Sequence, residues 1–218
     1  MLRLGLLLCG NGALDGTDPL QAIAWRIAAA RRGHVLIATA PHVDQHDVVG
    51  PQGVQRDATR HAFAESMRLA GGVVESVDAL RADEIDALVV PGGLGTVKTL
   101  CSAAVSAPVE VLEGPRRLAR ELLDRGGLVA AEDEATIWLA WALADRALTL
   151  ATDGRETTTR DLEAAGHTAA ADEGIVRDHS ERVLTRWISG PPQPARRFDA
   201  IVELLERIER ELDPSTEG

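Results

Sequence analysis

Apolar residues along the chain occur in short runs that alternate with segments of helical spacing. The first run, 2–8, ends in the glycine-rich segment 9–12 and is typical of a strand buried on both faces of a parallel sheet. Further strands are predicted over 35–39, 73–77, 85–90, 128–131, 148–151 and 183–188. Helices are predicted over 19–32, 59–70, 116–124, 134–144, 158–165 and 198–212.

This alternation predicts an α/β fold with a mostly parallel sheet and helices on both of its faces. We expect a single domain over 1–212 and a disordered tail over 213–218. In such sheets, ligands bind at the carboxyl ends of the strands. Three predicted strand ends are rich in glycine or acidic residues, and they are the first candidates for a site: 9–12, 91–93 and 132–134.

The amino-acid composition and net charge limit the kinds of molecule that the protein is expected to bind. The 218-residue chain is 45% hydrophobic and has a net charge of −11 with no basic cluster. Nucleic acids and anionic membranes are not expected as partners, because both require concentrated Lys and Arg, and a small molecule is the expected ligand. Two cysteines do not build a disulfide framework. No apolar run is long enough to span a bilayer, and the short apolar start has no cleavage pattern, so a cytoplasmic location is predicted.

Three stretches together resemble the ThiJ/PfpI superfamily of class I glutamine-amidotransferase-like proteins. They are LVVPGGLGTVKTLCS (88–102), GLVAAEDEATIWLA (127–140) and VLTRWISGPP (183–192). Two more stretches, LGLLLCGNGALDGTDPLQA (4–22) and TRHAFAESMRLAGG (59–72), are similar to the ElbB-like, isoprenoid-biosynthesis-associated branch. The resemblance covers nearly the whole chain and implies a flavodoxin-like sheet. It also implies a homodimer. The apolar faces of helices 22–30 and 137–143 either form its interface or pack on the sheet, and the sequence alone does not separate the two.

The chain departs from the superfamily at the elbow, the sharp strand-to-helix turn that carries the reactive cysteine in its relatives. An ungapped comparison places Asp133 at the cysteine position, and a shift of one residue would place Glu132 there. The partner carboxylate on the first helix is replaced by Gln21. Cys101 lies on the neighbouring loop, away from the elbow. Thiolate chemistry is therefore lost, and glyoxalase, deglycase and amidotransferase activities are not expected.

The replacement pair has a chemical logic of its own. An elbow presents one side chain at the mouth of a pocket, next to backbone N–H groups of the following helix. We hypothesise that the Asp133 carboxylate is a general acid or base, oriented by a hydrogen bond from the Gln21 amide. The structural alternatives are an acidic N-cap role for Asp133 and a capping-box role for Gln21, which would then reach back to Asp18.

Acidic residues are concentrated near the elbow. Glu132, Asp133 and Glu134 are consecutive, so their side chains diverge, and we expect Glu134 on the solvated helix surface. Convergence of two acids with Asp15 or Asp18 would raise one pKa and create a general acid. The same cluster would offer oxygen ligands to a divalent cation, but it has no recognised loop signature. No metal or cofactor is predicted.

Two histidines are also considered as metal ligands. His42 and His46 are four residues apart, but they lie in a predicted exposed loop, so zinc is not expected. His61, on a stretch that is similar to the ElbB-like branch, is interpreted as a partly exposed surface histidine.

Further substrate contacts are predicted around the same strand ends. Gly92 and Gly93 are candidate oxyanion donors, although a tight turn also explains them. Asn11 follows the first strand. Lys98 is either an anion-binding group or a solvated surface lysine. Asp153 lies near the position where some members carry a pocket histidine, and an Asp-Gly turn with Gly154 is the alternative.

These residues support two hypotheses of different classes. The first is a cofactor-independent enzyme in which Asp133 acts on a small carbonyl-type metabolite as a hydratase, lyase, isomerase, cyclase or hydrolase. The second is a non-catalytic metabolite-binding or scaffold protein that has lost the cysteine chemistry. Fold alone does not decide between them.

Overall fold

The structure, a computed structural model, describes residues 1–50, 52–172, 174–190 and 193–212. The predicted tail lies outside the described residues. Helices occur in the order α1 (Pro19–Arg31), α2 (Ala62–Ala70), α3 (Glu113–Asp124), α4 (Ala135–Ala142), α5 (Glu156–Ala164) and α6 (Pro194–Leu212). Strands occur in the order β1 (Arg3–Leu7), β2 (Val35–Ala40), β3 (Glu75–Ser76), β4 (Ala87–Val90), β5 (Leu128–Glu132), β6 (Thr149–Ala151), β7 (Thr168–Ala170), β8 (Ile175–Arg177) and β9 (Val183–Arg186).

Seven strands form one sheet in the order β3-β2-β1-β4-β5-β9-β8. All neighbouring pairs are parallel except β8 and β9, which are antiparallel. The predicted α/β class with a mostly parallel sheet is therefore confirmed. The strand predicted over 148–151 forms, but it pairs with β7 in a separate two-stranded sheet.

Several predicted elements differ in extent. The helix predicted from residue 59 begins at Ala62, and the strand predicted over 73–77 is two residues long. The short strands β7 and β8 were not predicted, because three-residue strands carry too little alternation to be distinguished from a loop. A π-helical turn over Thr96–Leu100 was also not predicted.

The core consists of two apolar layers, one on each face of the sheet. Along β4, Leu88 and Val90 face the layer built with α3 and α4, whereas Ala87 and Val89 face the layer built with α1 and α6. This alternation follows the period of two of a strand. The 137–143 face is buried in the first layer, but Ile23 and Ile27 on α1 are 46% and 43% exposed. The homodimer stays a prediction.

Two glycine-rich loops meet at the carboxyl edge of the sheet. A Cβ atom added to Gly93 would lie 2.4 Å from the carbonyl oxygen of Gly16, and one added to Gly95 would lie 2.5 Å from its Cα atom. Only glycine permits this approach of the two backbones. The contact holds the loop after β4 against the loop after β1, next to the turn that follows β5. Within the described ranges, no helix is long and apolar enough to cross a membrane.

Candidate functional site

The turn between β5 and α4 places Asp133 at the elbow. Asp133 has a φ of 49°, a left-handed conformation that is uncommon for residues other than glycine and is tolerated better by Asp than by most others. Glu132 is the last residue of β5. Of the two alternatives left by the sequence, the structure therefore has Asp133 at the turn.

The Asp133 carboxylate is enclosed by three donors. Oδ2 accepts hydrogen bonds from the Gln21 amide at 2.6 Å and from the Arg197 guanidinium, and Oδ1 accepts one from the Ile188 N–H at 2.7 Å. Asp133 is only 4% exposed. Burial pushes the pKa of Asp133 upward, and the Arg197 charge and the N–H donors oppose that rise. Both carboxylate oxygens are therefore held by protein groups in this arrangement.

Gln21 links the elbow to the loop after β4. Its side-chain nitrogen donates to Asp133, and its side-chain oxygen accepts the Gly92 N–H at 2.5 Å. Gln21 is fully buried. The Gln21–Asp133 hydrogen bond inferred from the sequence is present. The capping-box alternative is wrong, because Asp18 caps α1 through the Leu20 N–H while the Gln21 amide points to the elbow.

The three consecutive acids point to three different environments. Glu132 turns under α1, where it accepts a 2.6 Å hydrogen bond from the Trp25 indole. Burial, followed by the charge of Asp133, raises the pKa of Glu132 to about 8. Glu134 turns back to accept the Gly93 N–H at 3.0 Å, and burial raises its pKa. The solvated position expected for Glu134 is therefore wrong, whereas the expected divergence is present.

The oxyanion role expected for Gly92 and Gly93 is not supported by the geometry. The N–H of Gly92 is bound by Gln21 and that of Gly93 by Glu134. Both donors are satisfied by buried or half-buried protein oxygens, because Gln21 on α1 and Glu134 after the elbow both reach this loop. Neither amide is free to stabilise a developing negative charge.

Other predicted contact residues lie away from the elbow. The Asp15 carboxylate is buried and accepts the Val49 N–H at 2.8 Å, which anchors the segment after β2. Lys98 pairs with Asp47 at 2.8 Å and donates to the Leu14 carbonyl at 3.0 Å. Lys98 is therefore neither a solvated lysine nor a free anion-binding group, because its ammonium is held between two loops.

The remaining candidates from the first strand end and the histidine loop have local roles. Asn11 is half-buried and forms an isolated bridge with Thr17. His42 stacks on Phe63 with ring centroids 3.9 Å apart, and the centroid of His61 lies 5.8 Å from that of His42. Among the residues that the structure describes, no group of three or more His, Cys, Asp or Glu side chains is arranged to hold a metal ion.

A cavity of about 220 Å³ borders the elbow. Its polar lining includes Glu134 and Asp153, but not Asp133. Asp153 accepts the Arg155 N–H at 3.0 Å, so it both forms the predicted turn with Gly154 and lines the cavity. The full lining is Leu94, Val97, Ala103, Ala104, Glu134, Ile137, Asp153, Arg155, Thr157, Thr158, Asp161 and Trp187.

Two larger openings, of about 610 and 700 Å³, lie at the amino edge of the sheet. The first is lined by residues before β1 and β2 and near the ends of α1 and α6, such as His34 and Glu209. The second is lined by residues before β4, such as Arg81, and by residues along and just after α3. Parallel α/β sheets bind ligands at the opposite edge. The smaller cavity next to Glu134 is therefore the better candidate site.

Sequence reasoning missed the residues that close the elbow. Arg197 is 64 residues from Asp133, and nothing in the local sequence distinguishes it from Arg196. Arg196 instead donates to the Ser189 carbonyl. The one available signal was the position of the arginine pair near the start of an amphipathic helix that follows the last strand.

A mostly parallel sheet, with an elbow after β5 and a glycine-rich loop facing that elbow, matches the class I glutamine-amidotransferase-like fold. The comparisons with known proteins agree. Over about half of its length the chain is similar to glutamine amidotransferase-like class 1 and ES1 proteins, and solved structures of ThiJ/PfpI and DJ-1 proteins share its fold. No family model matches the chain.

Two curated relatives match about half of the chain. The ES1 protein homolog of Rattus norvegicus, named as mitochondrial, is 35% identical over 105 residues, which are 47% of this chain and 40% of that protein. The human glutamine amidotransferase-like class 1 domain-containing protein 3, also named as mitochondrial, is 34% identical over 105 residues, 47% of this chain and 39% of that protein. The match thus spans about two fifths of the length of these relatives. The cytoplasmic location of this chain stays a prediction.

Solved structures share the fold at low sequence identity. An isoprenoid biosynthesis protein with an amidotransferase-like domain from Ehrlichia chaffeensis superposes with a TM-score of 0.86 and 21% identity, covering 95% of this chain and 98% of that one. DJ-1beta of Drosophila melanogaster gives a TM-score of 0.57 and 18% identity, covering 97% and 94%. At these identities, the likeness shows that the fold is shared.

Proposed function

We propose that this chain binds a small metabolite in the cavity beside the elbow, and that Asp133 stabilises the elbow instead of reacting with the ligand. The observation that carries the proposal is the difference between the surroundings of the Asp133 and Glu134 carboxyl groups. The carboxylate of Asp133 is buried and accepts hydrogen bonds from three protein donors, while Glu134 lines a cavity. This proposal corresponds to the non-catalytic, metabolite-binding hypothesis drawn from the sequence. The residue that faces the bound metabolite is then Glu134 and not Asp133.

The lining suits a small, partly apolar ligand. Leu94, Val97, Ile137 and the Trp187 indole supply an apolar wall, and carboxylates and threonine hydroxyls supply polar groups. Ligand sites commonly combine a mainly apolar wall with a few placed polar groups, and they are usually somewhat larger than this cavity. The ligand is therefore expected to be smaller than a nucleotide cofactor.

A screen of small fragments by protein-observed NMR tests this proposal. We expect fragments to shift the Trp187 indole signal and the backbone signals of Glu134 and Asp153. Ala104 lies exposed at the cavity, so Ala104→Trp should block these shifts. Val105 is 41% exposed and does not line the cavity, so Val105→Trp is the matched variant that should bind normally. Equal binding by both variants, or no shifts in the wild type, would refute the cavity as the site.

Acid–base catalysis at the same cavity is a second candidate function, favoured by Glu134. Its carboxyl group borders the cavity and has a raised pKa, as a general acid requires. The role hypothesised for Asp133 would then belong to the next residue. If a bound neutral fragment or its carbonyl analogue is converted, Glu134→Gln should abolish conversion and retain binding of that neutral fragment. Retained conversion in that variant would exclude Glu134 as the acid.

A further inference from the structure

The cavity beside the elbow has an apolar wall and an excess of acidic groups. Three carboxylates line it: Glu134, Asp153 and Asp161. One cationic side chain, Arg155, is part of the same lining. The charges of the lining are therefore unbalanced.

Arg155 compensates little of this excess. Its Nε atom lies 3.3 Å from Asp153 Oδ2, but the Arg155 side chain is 81% exposed while that of Asp153 is 7% exposed. The guanidinium is therefore in water, where its charge is screened, and the carboxylate is not. Every Lys, Arg and His lies within the described ranges, and none of them forms an ion pair with Glu134 or Asp161.

The titration of the two unpaired acids reflects the same imbalance. Burial raises the pKa of Glu134 and of Asp161 by more than the charges of Arg197 and Arg160, respectively, lower them. A positive charge delivered into the cavity would restore the ionised form of both groups. The Trp187 indole on the apolar wall is the aromatic surface that binds cations best.

We infer that the cavity selects small ligands with a protonated amine, whose ammonium group faces Glu134 and Asp161 and whose carbon skeleton packs on Trp187. This inference rests on the proposed binding function and adds the ligand class. An anionic ligand is disfavoured by like charge, and a neutral isostere forgoes the charge-assisted hydrogen bond.

Three probes with one carbon skeleton test the inference: cyclohexylmethylamine, cyclohexylmethanol and cyclohexanecarboxylate. Titrations followed by the Trp187 indole signal should show the amine binding at least about tenfold more tightly than the alcohol, because a hydrogen bond to a charged group is stronger than a neutral one. The carboxylate should not bind measurably.

Variants separate charge from shape. Glu134→Gln and Asp161→Asn should each weaken the amine about tenfold and leave the alcohol unchanged. Glu163 lies exposed on the same helix as Asp161 and outside the cavity lining, so Glu163→Gln should leave both affinities unchanged. Two acids are tested because Glu134 also accepts the Gly93 N–H, so its variant alone does not separate ligand charge from the integrity of the turn.

The outcomes distinguish the two proposals. Failure of all three probes to perturb the cavity signals overturns the binding function and, with it, the ligand class. Binding of the alcohol or the carboxylate as tightly as the amine supports the cavity and overturns the amine class. Equal loss of amine affinity in Glu163→Gln also overturns the amine class, because a general reduction of negative charge would then explain the effect.

Discussion

Asp133 and Glu134 are adjacent in sequence, yet their carboxyl groups occupy opposite environments. Asp133 is held by Gln21, Ile188 and Arg197 and is closed to solvent, whereas Glu134 lines a cavity. The difference arises from the turn itself, because the left-handed conformation of Asp133 directs the two side chains apart. Under the proposed function, the elbow residue is structural while its neighbour faces the ligand.

The largest loss of stability is expected when the Asp133–Arg197 ion pair is removed, which tests the structural role of Asp133. Asp133→Ala leaves the Arg197 guanidinium buried without a partner, so the free energy of unfolding should fall by about 3–5 kcal/mol. Urea denaturation measures the change. Asp145 pairs with Arg120 at the surface, where its side chain is 53% exposed, so Asp145→Ala should cost less than about 1 kcal/mol.

A variant with both residues changed measures the interaction between Asp133 and Arg197. Asp133→Asn combined with Arg197→Met removes both charges, so it should be less destabilised than the sum of the single changes. Strict additivity would show that the two groups do not interact and that the elbow is open.

The pH dependence of stability should report Glu132. Its pKa is about 8 in the folded protein against 4.5 ordinarily, so the folded state favours the protonated form. The stabilisation is present below pH 4.5 and is lost as the pH rises towards 8, at up to about 1.4 kcal/mol per pH unit. Glu132→Gln keeps an acceptor for Trp25 and should flatten this decline. An unchanged slope in the variant would assign the decline to another group.

Removing the link between the elbow and the glycine loop should have an intermediate effect. Gln21→Ala leaves the Gly92 N–H buried without an acceptor and removes one donor from Asp133. We expect a loss of about 1–3 kcal/mol, measured by chemical denaturation. Gln45 is the matched comparison, because it is also buried but its amide donates to the Asp15 carbonyl, in a different loop. A loss in Gln21→Ala no larger than about 0.5 kcal/mol would contradict a role of Gln21 in holding the elbow.

The smallest effect is expected at the cavity. Glu134→Gln keeps an acceptor for the Gly93 N–H, so stability at neutral pH should change by less than about 1 kcal/mol. Because burial raises the pKa of Glu134, the change should favour the variant as the pH rises. A loss comparable to that of Asp133→Ala would make Glu134 part of the structural network.

Much of the fold followed from the alternation of apolar runs and helical segments. Residues 2–8, 85–90 and 128–131 were predicted as buried strands, and they form β1, β4 and β5 at the centre of the sheet. Strands β7 and β8 escaped prediction because they are three residues long and lie at the periphery.

At the site, the sequence predicted a contact between residues in stretches that resemble a known family, and it did not predict contacts made by residues outside recognisable motifs. The Gln21–Asp133 hydrogen bond followed from the resemblance, because both positions belong to matched stretches. The pairing of Arg197 with Asp133 depends on how α6 packs against α1, and no local pattern encodes that packing. The orientation of Glu134 depends on the left-handed turn one residue earlier, which an Asp in the sequence does not announce.

Hydrogen exchange of the Ile188 amide tests the closed elbow most directly. Its N–H donates to Asp133 Oδ1, while the neighbouring Ser189 is exposed. Measured by NMR on the native protein, the Ile188 amide should exchange only through large-scale opening, far more slowly than that of Ser189. Exchange of Ile188 at a rate similar to that of Ser189 would show that the elbow opens readily, and it would return Asp133 to the position of an accessible acid.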